Sequence, residues 1–405
     1  MELGVRLIKP GGVYGIIVSS SFLRAAYGEA LRRTLKKYAA VLELIDFGGL
    51  AVFANAKDTY VCIPILGKAP QPKEVATCRV RSLDFPNLAE HVSELSYPVP
   101  HGQLQPEAWS LRPPAELAVF AKIMAAGQPL GKYVGQSFFR GVTTGLNEAF
   151  VIDSTTRAQL IHQDKRSADL IKPLLSGEDI RRYHYRATDN WLIFPRRGVD
   201  INQYPAIRSH LSQWKEALTP KQDKKAKRGR KPGRYQWYEI QDDVAYWQVF
   251  DQPKLIFPDI AKNPRFMLDT GSHYLTNTAY CLGTDDRYLL GILNSRLFWF
   301  AIGHISIPFG MRAGEYRYRL IYQYMEQVPI RVIDKKDPAD RARHERMVGL
   351  VESMLKLHEQ LAAAQAAHDR TLIQRQIDAT DRQIDTLVYQ LYGLTPAEIA
   401  LVEGG

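Results

Sequence analysis

A chain of 405 residues with 53 Lys and Arg against 43 Asp and Glu carries a formal net charge of +10; it is long enough for two or three cores and too long for a small stapled scaffold. A cationic excess favours a polyanionic partner, because neutralising a phosphate backbone releases its counterions. Cys62, Cys78 and Cys281 are odd in number without CxxC spacing, the ten histidines form no H-x-x-x-H pair, and the most apolar run, Ile292–Ile307, is broken by Asn294, Arg296 and His304: this argues against a zinc site and a membrane span and for a reducing cytoplasm.

In chain order, VYGIIVSS at Val13–Ser20 follows the Pro10–Gly12 turn and predicts a buried strand. Tyr27–Tyr38 predicts a basic amphipathic helix, and Val41–Phe47 and Tyr60–Leu66 two further strands. This order suits the C-terminal part of a mixed α/β sheet, which on its own would leave sheet edges and apolar faces open. Residues 71–115 are rich in Pro and polar side chains and are expected to be a linker of modest structure, with Val75–Val80 a candidate strand and Leu88–Leu95 a short helix. Glu116–Ala126 has the spacing of a packing helix.

From Leu130 onward the sequence is strand-rich. Trp191–Phe194, Lys254–Phe257, Phe266–Leu268 and Thr278–Cys281 are short β-type runs between Pro, Gly, Asp and Asn. Within this region FFRGVTTGLNEAFVID, at Phe138–Asp153, predicts a polar hairpin with Gly141, Gly145 and Asn147 in the turn. Arg140, Thr143, Thr144 and Asn147 are expected to face outward. Arg suits guanine, Asn suits adenine, and Thr serves either base or touches a thymine methyl. KQDKKAKRGRKPGR at Lys221–Arg234 predicts a mobile cationic loop in which Lys227, Arg228, Arg230, Lys231 and Arg234 meet phosphate, followed by Tyr235, Trp237 and Tyr238. Arg312 and Arg317, beside Tyr316 and Tyr318, could line a DNA-binding cleft or sit on a solvated edge with cross-strand pairing. Arg181, Arg182, His184 and Arg186 are expected to point outward. Residues 333–405 carry one apolar stripe through Met347, Val351, Met354 and Leu361 and another through Ile373, Ile377, Ile384, Leu387 and Leu391, predicting a helical hairpin.

LIKPGGVYGIIVSSSFLRAAYGEALRRTLKK and ELIDFGGLAVFANAKDTYVCIPIL resemble the late blocks of N6-adenine DNA methyltransferases of the gamma order, as in type IIG restriction-modification enzymes. GVTTGLNEAFVID, LIKPLLSGEDIRRYHY, PKLIFPDIAKNPRFMLD, HYLTNTAYCLG and YLLGILNSRLFWFAIG resemble the TaqI-like C-terminal specificity domain that chooses the target in such enzymes. The core RGRKPGR is similar to an AT-hook, with Lys231 interrupting the pattern. The resemblance implies an α/β plus α+β chain. Its parts would be a truncated Rossmann-like methyltransferase sheet at 1–70, a linker at 71–115, a β-rich target-recognition domain at 116–332 and a helical hairpin at 333–405.

The family's S-adenosylmethionine loop and its Asn-Pro-Pro-Tyr block, which holds the extruded adenine, lie upstream of these segments and have no match here. Asn263-Pro264-Arg265-Phe266 lacks the second proline, and Asp46-Phe47-Gly48-Gly49 lacks a third glycine at the right offset. No catalytic, cofactor-binding or metal residue is therefore assigned, and S-adenosyl-L-methionine is expected in the complete enzyme and not on this chain alone. The expected partners are double-stranded DNA and a catalytic methyltransferase or endonuclease polypeptide in trans, unless the reading frame is truncated. A stand-alone specificity or scaffold subunit that acts by binding alone is the alternative.

Overall fold

Residues 1–53, 60–135, 137–222, 228–306, 308–312 and 315–404 are described by the computed structural model, without the side chains of 26, 310–312 and 315. The chain divides into one unit of Met1–Lys122, Pro308–Arg317 and Ala400–Gly405, and a second of Ile123–Ile307 and Tyr318–Ile399.

The first unit opens with helix α1 (Glu2–Leu7) and the short strands β1 (Val13–Gly15) and β2 (Val18–Ser19), followed by helix α2 (Glu29–Tyr38) and strand β3 (Ala40–Asp46). Strands β4 (Val61–Gly67) and β5 (Glu74–Arg79), helix α3 (Leu88–Leu95) and strand β6 (Tyr97–Pro100) complete it. One mixed sheet runs β1-β4-β3-β5-β6, with β2 also on β4. β3 lies antiparallel to β4 and parallel to β5, with Ile45 opposite Ile63 and Cys78. One face buries Leu44, Cys62, Leu66 and Val75 with Val5, Leu35 and Trp109; the other buries Ile45, Val61 and Cys78 with Val80 and Val92. Buried Arg32 of α2 donates to the carbonyls of Pro106 and Glu107, fastening a distant loop to this layer. Residues 71–115 are therefore not a linker: β5 and β6 are ladder strands of the same sheet. Val13–Ser20 is not a buried strand either, because Val13 is 61% and Ile17 41% exposed.

Two four-stranded sheets form the β-rich part of the second unit. The first runs Tyr274–Leu275, Ile171–Leu175, Trp191–Ile193, Val151–Ile152; the second runs Met267–Asp269, Lys254–Pro258, Ala279–Leu282, Phe138–Arg140. Both sheets contribute to a common core that includes Phe150, Leu175, Ile193, Phe250, Ile256, Tyr274 and Cys281. The helices Pro338–Ala363 and Ala367–Leu391 lie against one another, and Met347, Val351 and Met354 of one and Ile377, Ile384, Leu387 and Leu391 of the other are buried. Among the described residues, no helix is long and apolar enough to cross a membrane.

Lys254 stands opposite Asp269 in the ladder and is fully buried; its Nζ lies 2.5 Å from Asp269 Oδ2 and donates to the Phe250 carbonyl at 2.6 Å. Burial alone would raise the Asp269 carboxyl, but the hydrogen bond from His273 and the charge and hydrogen bond of Lys254 outweigh it and hold the group at about 2. A depressed carboxylate contributes stability that is complete above its unfolded value and is lost as pH falls through the folded one. Urea unfolding of Asp269→Ala is expected to show a loss of about 3–5 kcal/mol at pH 7, since the Lys254 charge is left buried and unpaired. The same variant should show less of the wild-type decline in stability between about pH 4 and pH 2.

Candidate nucleic-acid interface

The stretch Phe138–Asp153 does not fold back on itself as a hairpin. Phe138–Arg140 pairs with Ala279–Leu282, while Val151–Ile152 pairs with Trp191 and Leu192 in the other sheet. Between them Gly141 lies so close to Thr276 that a Cβ would stand 2.0 Å from its carbonyl oxygen, and Gly145 turns the chain at φ +81°. A single helical turn, Asn147–Phe150, follows and drives Phe150 into the core. Arg140 and Asn147 are exposed and Thr143 half-buried, as an outward-facing turn requires. Thr144 is not outward: it is buried, its hydroxyl donates to Asn147 Oδ1 at 2.7 Å and accepts from the Leu146 N–H at 3.2 Å. A short hydroxyl next to a turn finds local partners more readily than solvent ones.

The cationic stretch contains two kinds of arginine. Lys227 lies outside the described residues. Arg228 is exposed and paired with Glu216 at 2.8 Å. Arg230 is 4% exposed and is corrected from a phosphate contact to an internal brace. Its guanidinium donates to the carbonyls of Leu218 at 2.7 Å, Thr144 at 2.7 Å and Trp237 at 2.9 Å, with Gln236 at 3.4 Å. The Tyr235 and Phe150 rings lie 4.8 and 5.5 Å from it. Burial lowers its pKa to about 10, with Tyr235 and Glu239 opposing and Arg197 adding to the fall, so the group stays charged at neutral pH. This bond set joins two segments far apart in sequence. A Cβ on Gly145 would lie 2.7 Å from both Arg230 Cδ and Gln241 Oε1. Lys231 and Arg234 remain exposed beside this brace.

Several residues of the same surface carry no signal in the motifs above. Arg197 donates to the carbonyls of Ile240 and Gln241 and lies 3.6 Å from Glu239, which leaves Arg196 exposed with its guanidinium 4.8 Å over the Trp247 ring. Lys215 lies 5.5 Å over Trp237. The Asp242 N–H donates to the Thr143 carbonyl at 3.2 Å and the Tyr246 hydroxyl to the Arg140 carbonyl at 2.9 Å. Residues 140–147, 196–197, 228–242 and 246–247 are therefore joined by hydrogen bonds and ring contacts, and the exposed Arg140, Arg196, Lys231 and Arg234 stand among the half-buried rings of Tyr235, Trp237, Tyr246 and Trp247, groups suited to phosphate and base faces. The signal available in the sequence was the doubled arginine before a glycine, Arg196-Arg197-Gly198. Beside Asn147 a depression of 340 Å³ is lined by Glu148, Val151, Leu174, Ser176, Asn190 and Thr276.

Other cations are committed elsewhere. Arg182 is not outward, since it donates to Asp381 and to the Asn294 carbonyl, and Arg186 pairs with Asp179 at 3.0 Å. Arg319 pairs with Asp259 at 3.0 Å. Arg317 belongs to the first unit, where it lies 5.7 Å over the Phe309 ring, and the side chain of Arg312 lies outside the described residues.

Replacing Arg230 by Ala leaves its carbonyl partners unpaired in the interior, and urea unfolding should show a loss of about 3 kcal/mol. Lys, with a single ammonium, should restore little of it. Lys231→Ala should stay within about 0.5 kcal/mol of wild type.

A family model of the TaqI-like C-terminal specificity domain matches residues 172–330, and one of the Eco57I restriction-modification methylase matches residues 1–53. The type II restriction enzyme and methyltransferase RM.Eco57I of Escherichia coli is 24% identical over 445 aligned positions, which take in 100% of this chain and 43% of that protein. The type II methyltransferase M.BstVI of Geobacillus stearothermophilus is 21% identical over 426 positions, covering 100% of this chain and 68% of the relative. The chain thus spans only part of the length of these relatives. The solved structure of the type IIL restriction-modification enzyme MmeI in complex with DNA shares the fold, with a TM-score of 0.60 at 14% identity over 97% of this chain and 49% of that one. The chain is similar to type II restriction-modification methyltransferases: its residues 1–53 match the Eco57I restriction-modification methylase family and its residues 172–330 match the TaqI-like C-terminal specificity domain.

Proposed function

We propose that the chain is the sequence-choosing portion of a site-specific adenine-N6 DNA methyltransferase, working on duplex DNA in the bacterial cytoplasm. The observation that carries this reading is the junction at Arg230, where a buried guanidinium fixes the Gly145 turn against residues 228–242. Arg140, Arg196, Lys231 and Arg234 stay exposed around it. Cations on a rigid frame suit phosphate contacts, which set register, while Thr143 and Asn147 at the turn suit base edges. The MmeI relative in fold was solved bound to DNA.

Methyl transfer itself belongs to the complete enzyme and its S-adenosylmethionine. The glycine-rich turn Asp46–Gly49 does not fit that cofactor: Asp46 Oδ1 accepts from the Gly48 N–H at 2.9 Å, and the Tyr316 hydroxyl occupies the space over Gly48, 1.8 Å from where a Cβ would stand. The first unit reads as the C-terminal part of a Rossmann-like sheet, and the helices Pro338–Ala363 and Ala367–Leu391 as a hairpin bracing the recognition module through the tie of Arg182 to Asp381.

Selection from a randomised duplex library is expected to enrich one motif, and failure to enrich any would end the reading. With the enriched duplex, anisotropy titrations against salt should show weaker binding for Arg140→Ala, Lys231→Ala and Arg234→Ala. Each should flatten the log–log salt slope by about one. Asn147→Ala should instead change the motif selected, with the salt slope intact.

A further inference from the structure

The depression beside Asn147 is bounded by four segments that backbone hydrogen bonds hold together. The Val142 N–H donates to the Leu275 carbonyl at 2.7 Å, the Thr276 N–H to the Leu175 carbonyl at 3.0 Å and the Leu174 N–H to the Asn190 carbonyl at 3.0 Å, while Val151 pairs with Leu192. The polar groups around it differ in how far they are committed. The Ser176 hydroxyl donates to Asp179 Oδ2 at 2.6 Å, and the Thr276 and Thr278 hydroxyls share a bond of 2.7 Å. Glu148 lines the same depression and is exposed, and among the described residues its carboxylate has no hydrogen bond or ion pair. Its backbone is nonetheless fixed. Ala149 and Phe150 of the same helical turn are fully buried, and Arg230 holds the Thr144 carbonyl just before it.

Neighbouring acids have work inside the fold. Asp153 accepts from the Thr156 N–H at 2.7 Å as a helix cap, Asp179 pairs with Arg186 at 3.0 Å, Asp189 accepts from the Ser154 N–H at 3.2 Å, and Glu239 lies 3.6 Å from Arg197. Glu148 has no such task, and it follows Asn147 directly in the segment that the exposed Arg140 opens. Against a phosphate backbone a free carboxylate lowers affinity for every sequence alike. It contributes only where it meets a donor on the duplex. In the major groove those donors are the exocyclic amines, N4 of cytosine and N6 of adenine, whereas O6 of guanine and O4 of thymine present lone pairs that repel it. We infer that Glu148 selects one base of the recognised sequence, accepting a hydrogen bond from the exocyclic amino group of cytosine or adenine and rejecting guanine and thymine at that position. This rests on the reading of the chain as a DNA-recognition portion, and it adds the class of base and the residue that rejects the others.

The test runs selection from a randomised duplex library with the full chain and with Glu148→Gln and Glu148→Lys. The wild type should hold cytosine or adenine at one position, and duplexes changed at that position alone then tell which of the two. In anisotropy titrations the wild type should prefer that base over guanine and thymine by at least about tenfold. Glu148→Gln, whose amide both donates and accepts, should remove most of this preference. Glu148→Lys, a donor only, should reverse it toward guanine or thymine, and both variants should leave the rest of the motif unchanged. Circular dichroism and thermal unfolding should match the wild type, since the side chain is exposed. A wild-type motif that neither variant alters, an affinity that both raise equally for every duplex, or a loss of selectivity spread over the whole motif would each overturn the inference and leave the DNA-reading proposal standing. Selection of no motif by the wild type would overturn both.

Discussion

The turns of the β-rich second unit are tied together by one guanidinium. Arg230 serves carbonyls from three places, at Thr144, Leu218 and Gln236–Trp237, and no other protein side chain presents as many donors in a fixed plane. Carbonyls at the ends of loops are groups that a β-rich fold with many turns leaves unpaired. A fixed positive fork gathers them without needing a ladder. The charge is tolerated in the interior because four dipoles and two aromatic faces take the place of water. What the fork holds together is the platform from which the exposed cations project, so position on that surface follows from an interaction beneath it.

Local pattern was legible where it coincided with burial. The β-type runs at residues 191–194, 254–257 and 278–281 lie within one or two residues of observed strands, and the stripes of the tail are buried except at Leu361 and Ile373, which are half-buried. Gly145 was legible as a turn. Partners were less so. Phe138–Arg140 pairs with a strand about 140 residues away, and nothing in its own composition distinguishes that from a hairpin. The same blindness affects charge: Arg228 and Arg230 are two residues apart in one cationic run, yet one is on the surface and the other in the core. Only the location of unpaired carbonyls decides between them, and that is tertiary information.

The first unit shows the opposite discrepancy. Its residues 71–115 contain prolines that read as a linker, but Pro98 and Pro100 lie in β6, a strand at the end of the sheet where missing N–H groups cost little. Val13–Ser20 reads as interior and is found at the other edge.

The Thr144 hydroxyl limits the freedom of the exposed amide beside it. By donating to Asn147 Oδ1 it takes one of the two lone pairs of that oxygen and ties the amide to the turn. An asparagine reading adenine in two bonds needs both ends. Held in this way, Asn147 offers its NH₂ donors and one remaining lone pair in an orientation set by the turn itself.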